Sequence, residues 1–176
     1  MAVKTDNLRR RAGGTPSIDG MDTKILGVLA RDALKSYAEI GETVGLSAPA
    51  VHERVKRLRA SGVISETVAR LDGPAVGKPL LAFVHVSTTG WGKTRAMVAM
   101  QDFPEVEELH SVTGDACLII KVRVASALAL EGLLSRIYDV EGVRETRTYV
   151  TLSTHLERSV QAELTDELEE NAPYLK

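Results

Sequence analysis

SYAEIGETVGLSAPAVHERVKRLRASG, running from Ser36 to Gly62, reads as two short helices joined by a tight turn. Tyr37, Ile40 and Val44 recur at i, i+3 and i+7 and give the first helix one apolar stripe. Gly45 follows, where a left-handed residue ends a helix at little steric cost. Leu46 can plug the corner, and the Ser47 hydroxyl can accept a hydrogen bond from an unpaired amide of the next helix. Pro49 falls in the first turn, where its missing N–H costs nothing. Val51, Val55 and Leu58 form the buried stripe of the second helix. Its other side presents Ala48, Pro49, His52, Glu53, Lys56, Arg57 and Arg59, with Arg54 near the border, and Gly62 ends it. This is the plan of a helix-turn-helix, whose second helix enters the major groove of DNA. A charge run alone is usually a solvated face. The ordered set of turn glycine, capping serine, early proline and apolar triad is what makes the reading specific.

Working outward, residues 19–31 form a further helix with Ile25, Leu26, Val28 and Leu29 as its apolar set, which completes a three-helix domain over residues 18–71. A strand over residues 63–71 has room for one arm of a small wing. Residues 1–17, with Arg9, Arg10 and Arg11, read as a flexible basic tail, either a plain extension or an arm on DNA phosphates. Residues 72–79 carry two glycines and two prolines and read as a linker.

Residues 80–176 read as strand, helix, strand, strand, helix, strand. The strands are expected at 80–87, 106–112, 118–124 and 143–152, and the helices at 93–100 and 128–138. Leu130, Leu133, Leu134 and Ile137 form the inner face of the second of these helices. Val143, Glu145, Arg147, Tyr149 and Thr151 share one face of the last strand. A final acidic helix is expected over about 155–170. The order βαββαβ is the ferredoxin-like arrangement, an antiparallel sheet with both helices on one face. The fold class is α+β, and the open sheet face needs cover, which predicts dimerisation through it.

Composition agrees. The chain has 176 residues, 44% of them hydrophobic, enough to bury a core in one domain or two small ones. It has no apolar run of the ~18 residues that cross a bilayer and no basic–apolar–small leader, which predicts a cytoplasmic protein without a membrane partner. Its single cysteine excludes an intramolecular disulfide framework and a Cys-cluster zinc site. Residues 1–72 hold 12 Lys and Arg against 9 Asp and Glu, a balance of +3. Residues 73–176 hold 10 against 15, a balance of −5, and together they make the net charge of −2. The phosphate-seeking charge is thus in the first part.

From Ile18 to about Thr154 the chain resembles the Lrp/AsnC (feast/famine) transcriptional regulators. The resemblance rests on Ile18-Asp19-x-x-Asp22-x-x-Ile25-Leu26, on Gly45-Leu46-Ser47 with Val51, Arg54, Val55 and Leu58, and on Gly62-Val63-Ile64. It continues through Leu71-Asp72, Gly77, Phe103-Pro104-Glu105-Val106, Val112-Thr113-Gly114-Asp115 and Gly142-Val143, to Thr146-Arg147-Thr148-Tyr149-Val150. It implies an N-terminal winged helix-turn-helix and a C-terminal βαββαβ domain of the RAM (AsnC) type that senses small molecules. It implies dimers built through the C-terminal sheets, octamers of four dimers, and an amino acid bound between dimers that changes assembly or DNA affinity. Target genes of amino-acid metabolism and a place on the nucleoid when bound to DNA belong to the same expectation.

By the resemblance, the DNA-facing positions are Ser47, Ala48, Pro49, His52, Glu53, Arg54, Lys56 and Arg57. Arg54 and Arg57 can make bidentate contacts to guanine or phosphate, and Lys56 and Arg59 suit phosphate. For Arg54 the alternative is an intramolecular pair with Glu39 or Glu42. The effector turn departs from the family's Gly-Asp-aromatic-Asp, reading Gly114-Asp115-Ala116-Cys117. Asp115 and the amides of Gly114, Asp115 and Ala116, with Thr113 beside them, are candidates to hold an amino acid's ammonium and carboxylate. Cys117 replaces the second carboxylate and leaves room for a larger apolar side chain. It reads as an inert strand thiol or a redox sensor. His110 reads as a satisfied sheet residue or a ligand contact.

Two other classes are weaker. A winged-helix redox or metal sensor would need clustered Cys and His ligands, against one cysteine and four scattered histidines. An enzyme would need a nucleophile–base pair, a phosphate-cradling Gly-rich loop or an HExxH motif, none of which is present. No cofactor or metal is expected beyond the amino acid effector.

Overall fold

The structure is a computed structural model and describes residues 17–89 and 98–163. These form two compact units, one of residues 70–156 and one that joins 17–69 to 157–163.

In the first part of the chain, α1 covers Gly20–Leu29, α2 covers Tyr37–Val44 and α3 covers Ala48–Ala60. Each start is fixed by its own capping residue. The Asp19 carboxylate accepts from the amides of Met21 and Asp22, and Asp22 returns the contact to the Asp19 amide, a reciprocal capping box. Ser36 and Glu39 repeat this at α2, and Ser47 accepts from the Ala50 amide at α3. Gly45 ends α2 in the left-handed conformation, with φ 78°. Ile25, Ile40, Val51 and Val55 form the core, and Val28, Leu29, Tyr37, Val44, Leu46 and Ile64 pack on it. Burying one such side chain fully stabilises the fold by about 1.5–3 kcal/mol. At the turn the backbones nearly touch. A Cβ placed on Gly41 would collide with the Leu46 carbonyl oxygen.

The expected wing strand over 63–71 does not form: these residues carry no strand assignment. The Ile64 amide bonds to the Leu58 carbonyl, and beyond it Val68 and Leu71 are exposed. A strand needs a ladder partner, and none of the described strands pairs with this segment. The expected linker holds an ordered turn. The Asp72 side chain accepts from the Ala75 amide, and Lys78 donates its amide to the Gly73 carbonyl at 2.8 Å.

The second unit is a four-stranded antiparallel sheet, β1 Leu80–Thr88, β2 Val106–Ser111, β3 Leu118–Val124 and β4 Val143–Val150, in the order β2-β3-β1-β4. Helix α4, Ala127–Tyr138, lies between β3 and β4 in sequence and is capped by Ser126. One sheet face carries Ala82, Val84, Val86, Leu118, Ile120, Val122 and Val124 into a core with Met100 and with Leu130, Leu133 and Ile137 of α4. The fold is α+β.

Other spans also depart from expectation. Of the helix expected over 93–100, residues 93–97 lie outside the described residues, and the described end is a 3-10 turn, Ala99–Asp102. Strand β4 stops at Val150, and Leu152 is fully in solvent. Of the acidic helix over 155–170, residues 164–170 lie outside the described residues and 155–163 are not helical. Leu156 and Val160 are exposed there, so the segment has no apolar stripe to bury. One face assignment changes too. The register shifts between Ser87 and Thr88, where Glu145 and then Val143 oppose them. The irregularity turns Val143 inward to pack on the core, away from the face of Glu145, Arg147 and Tyr149.

Candidate functional site

Helix α3 turns Val51, Val55 and Leu58 inward, all essentially buried. That leaves Pro49, His52, Glu53, Lys56, Arg57 and Arg59 exposed, with Ala48 and Arg54 half-buried and Ser47 exposed at the cap. The groove-facing positions expected from the sequence therefore lie on one solvent-facing side. His52 packs against the Tyr37 ring of α2 with centroids 5.3 Å apart, and its Nδ1 lies 3.7 Å from Glu53. Lys56 and Arg59 form no ion pair among the described residues.

The arginines are held from behind. Arg54 donates to Asp19 at 2.7 Å and to Asp22 at 2.8 Å, and Arg57 donates to the other Asp22 oxygen at 2.6 Å. The intramolecular pairing considered for Arg54 is thus present, but with Asp19 and Asp22 of α1 in place of Glu39 or Glu42. Those two glutamates lie on α2, where Glu39 is occupied by its capping box. Asp22 is fully buried, and its only neutralising neighbours among the described ion pairs are these two guanidiniums. The Arg54 guanidinium, with the Asp22 amide, holds the Asp19 carboxyl below its ordinary value near 3.8. Arg57 keeps more than half its side-chain surface in solvent, so its remaining donors are available to a ligand. Sequence reasoning missed Asp22. The available signal was an acid three residues before Ile25, on the side of α1 that points inward.

In the second unit, the turn between β2 and β3 carries Thr113, Gly114 and Asp115 in solvent, with Ala116 buried and Cys117 half-buried. Gly114 has φ 138°, a conformation that disfavours any side chain although open space surrounds the position. Backbone bonds from the Cys117 amide to Val86 and from the Val112 amide to Cys117 tie the turn to β1 and to itself. The Cys117 thiol lies below its ordinary value near 9.0 because of hydrogen bonds with the Thr88 side chain and backbone.

Asp115 reaches across to β4, where Arg147 donates to it at 3.2 Å and lies 3.8 Å from Glu145. A small cavity of about 50 Å³ opens here, lined by His85, Ser87, Asp115, Ala116, Glu145 and Arg147. The ladder explains the grouping, since His85 opposes Arg147 and Ser87 opposes Glu145. His85 also stacks against Tyr149 at 4.9 Å. Asp115 and Ala116 are thus brought to a cavity whose other walls the sequence did not reveal. His110 is not among its walls. It sits on β2 and contacts Glu108 at 3.0 Å, and with Lys121 it holds that carboxyl below its ordinary value. Among the described residues no group of three or more His, Cys, Asp or Glu side chains is placed to hold a metal ion, and no helix is long and apolar enough to cross a membrane.

Comparison with known proteins gives consistent matches. Residues 18–59 match the AsnC-type helix-turn-helix domain, and residues 81–161 match the Lrp/AsnC ligand binding domain. The chain is 32% identical over 140 residues to the HTH-type transcriptional regulator FL11 of Pyrococcus furiosus, covering 80% of this chain and 93% of the relative. It is 36% identical over 141 residues to the leucine-responsive regulatory protein of Haemophilus influenzae, covering 77% and 84%. In fold it is similar to a transcriptional regulator of Neisseria meningitidis solved in complex with L-Met, at TM-score 0.77 and 23% identity, covering 86% of this chain and 99% of that one.

Proposed function

The chain belongs to the Lrp/AsnC family of transcriptional regulators, and from that premise we propose that it binds specific DNA sites as a dimer and responds to an amino acid. The observation that carries the DNA half is α3, which gathers Lys56, Arg57 and Arg59 on one solvent-facing side with Arg54 half-buried at its edge, above a carboxylate that orients two of the arginines. Dimers set two such helices in successive major grooves, about one helical turn apart. Arg57 and Arg54 read bases, Lys56 and Arg59 hold phosphates, and His52, Glu53, Pro49, Ala48 and Ser47 complete the contact. Selection from a random duplex pool, followed by anisotropy titration, tests this. Arg57→Ala is expected to weaken the selected site by about 1–3 kcal/mol, and Lys56→Ala to lower the salt slope by about one. Unchanged affinity removes the residue concerned from the interface. A monomer at micromolar concentration in sizing experiments would contradict the dimer.

The effector half is supported by Asp115 and Arg147. Their pair is exposed, 79% and 57% at the side chains, so solvent screens it and it opens readily. A zwitterion offers an ammonium to the carboxylate and a carboxylate to the guanidinium, replacing one pair with two. The cavity of about 50 Å³ is far below the ~300 Å³ of an ordinary ligand pocket, which supports a site completed by a neighbouring subunit. The name of the Haemophilus relative agrees with an amino acid as the ligand. Genes of amino-acid metabolism as targets, and an octamer as the full assembly, extend the same reading. Thermal-shift titration with the twenty amino acids identifies the effector, since a ligand of the native state raises its stability. Asp115→Asn and Gly114→Val are each expected to abolish the shift while the dimer still binds DNA. A normal shift in both variants would move the effector site elsewhere.

A further inference from the structure

Gly27 sits inside α1 with no backbone reason to be glycine. Its φ is not positive, and glycine within a helix is disfavoured relative to alanine. The nearest atom to an added Cβ would be Oε1 of Glu163, at 3.0 Å. The next nearest among the described residues are the Arg31 guanidinium, at 3.6 Å, and the carboxyl carbon of Glu163, at 3.8 Å. Glu163 belongs to the segment that follows β4 and groups with the helix-turn-helix unit from residue 157 onward. Beside it is a cavity of about 220 Å³, walled by Thr23, Lys24 and Val28 of α1, by Arg31, and by Thr43 and Val44 of α2.

We propose that this α1–α2 groove is the docking surface for the chain's own acidic C-terminal segment, with Gly27 as the notch and Arg31 as the anchor for Glu163. Arg31 is already oriented for the task. Its Nε donates to the Gly27 carbonyl at 2.9 Å, which leaves an NH2 group 3.5 Å from Glu163. Charge favours the fit. Residues 157–170 contain six acids, Glu157, Glu163, Asp166, Glu167, Glu169 and Glu170, against Arg158 alone, and the groove presents Lys24 and Arg31. The pair is mostly in solvent, 73% and 55% exposed, so salt screens it and the segment can leave. Because the segment is covalently attached, a weak contact suffices to keep it seated. A seated acidic segment beside the DNA-binding unit opposes the approach of phosphates, and its release raises affinity. The inference rests on reading residues 17–69 as the DNA-binding unit.

The docking is read without DNA, by hydrogen–deuterium exchange on the full chain, on a chain ending at Leu156, and on Arg31→Glu alone and combined with Glu163→Arg. Exchange across residues 24–31 and 40–45 is expected to rise in the shortened chain and in Arg31→Glu, and to return in the charge-swapped pair. Equal exchange in all four overturns the docking. Protection that grows with protein concentration assigns the groove to the segment of a second copy and overturns the intramolecular form. DNA affinity of the shortened chain is expected to rise about threefold at low salt and to match the full chain at high salt. If all four chains bind DNA equally at low salt, the regulatory consequence is wrong even where docking holds. If none binds DNA, the reading of the unit itself fails while the exchange result still decides the docking.

Discussion

Asp22→Ala is expected to destabilise the helix-turn-helix unit by about 3 kcal/mol and to weaken DNA binding by roughly tenfold. The carboxylate is fully buried and accepts from Arg54, Arg57 and the Asp19 amide at once. Removing it leaves two guanidiniums facing each other without their shared counter-charge, one of them, Arg54, largely withdrawn from water. Breaking a buried pair by deleting one partner costs about 3–5 kcal/mol. The lower figure applies because Arg57 can turn to solvent. The loss in DNA binding has a different origin. Freed arginines regain rotamers that must be frozen again at the groove, which costs up to about 1.5 kcal/mol for an immobilised side chain. Urea denaturation followed by circular dichroism measures the first effect and anisotropy titration the second. A stability loss under about 1 kcal/mol would mean that the two arginines stabilise the fold without Asp22. Asp22→Asn keeps the shape and one acceptor, and is expected to fall between wild type and alanine.

Gly41→Ala is expected to cost 3 kcal/mol or more, an effect at or beyond the upper end of the ~1–3 kcal/mol typical of overpacking. The added Cβ would collide with the Leu46 carbonyl oxygen and lie 3.4 Å from its carbon and 3.6 Å from the Ala48 nitrogen. All three are backbone atoms, so no side-chain rotation relieves the clash. The chain there is also tied down, since the amides of Gly45 and Leu46 both donate to the Gly41 carbonyl, at 2.8 and 2.9 Å. Relief requires the turn to move, and α3 moves with it. Thermal unfolding of the variant should show an early transition for this unit while the sheet unit melts as before. A single unshifted transition would show that the turn accommodates a methyl group.

The two helices and their turn were legible because their signals are local. Capping serines, the left-handed Gly45 and the apolar spacing of Val51, Val55 and Leu58 each act within a few residues. The sheet was legible for a similar reason, as Ile120, Val122 and Val124 are buried and alternate with half-buried Lys121 and Arg123. What could not be read depends on pairing. Residues 63–71 have the composition of a strand but no partner among the described strands, and 155–163 have helical residues but no face to bury. The same limit separates the halves of the site. The groove face of α3 follows from helical spacing alone. Arg147 and His85 join Asp115 only through the register of β4 on β1 and the turn tied to Val86. Asp22 was hidden because an acid in the first turn of a helix has an ordinary explanation as a dipole or capping partner. It serves that role as well, through its bond from the Asp19 amide.

That double use has a consequence for motion. The first turn of a helix is ordinarily where fraying begins, independently of the rest of the fold. Here the residues that close the first turn of α1 also grip α3, so the turn cannot unwind without loosening the helix that faces DNA. The first turn of α1 and the middle of α3 therefore open together, as one cooperative step.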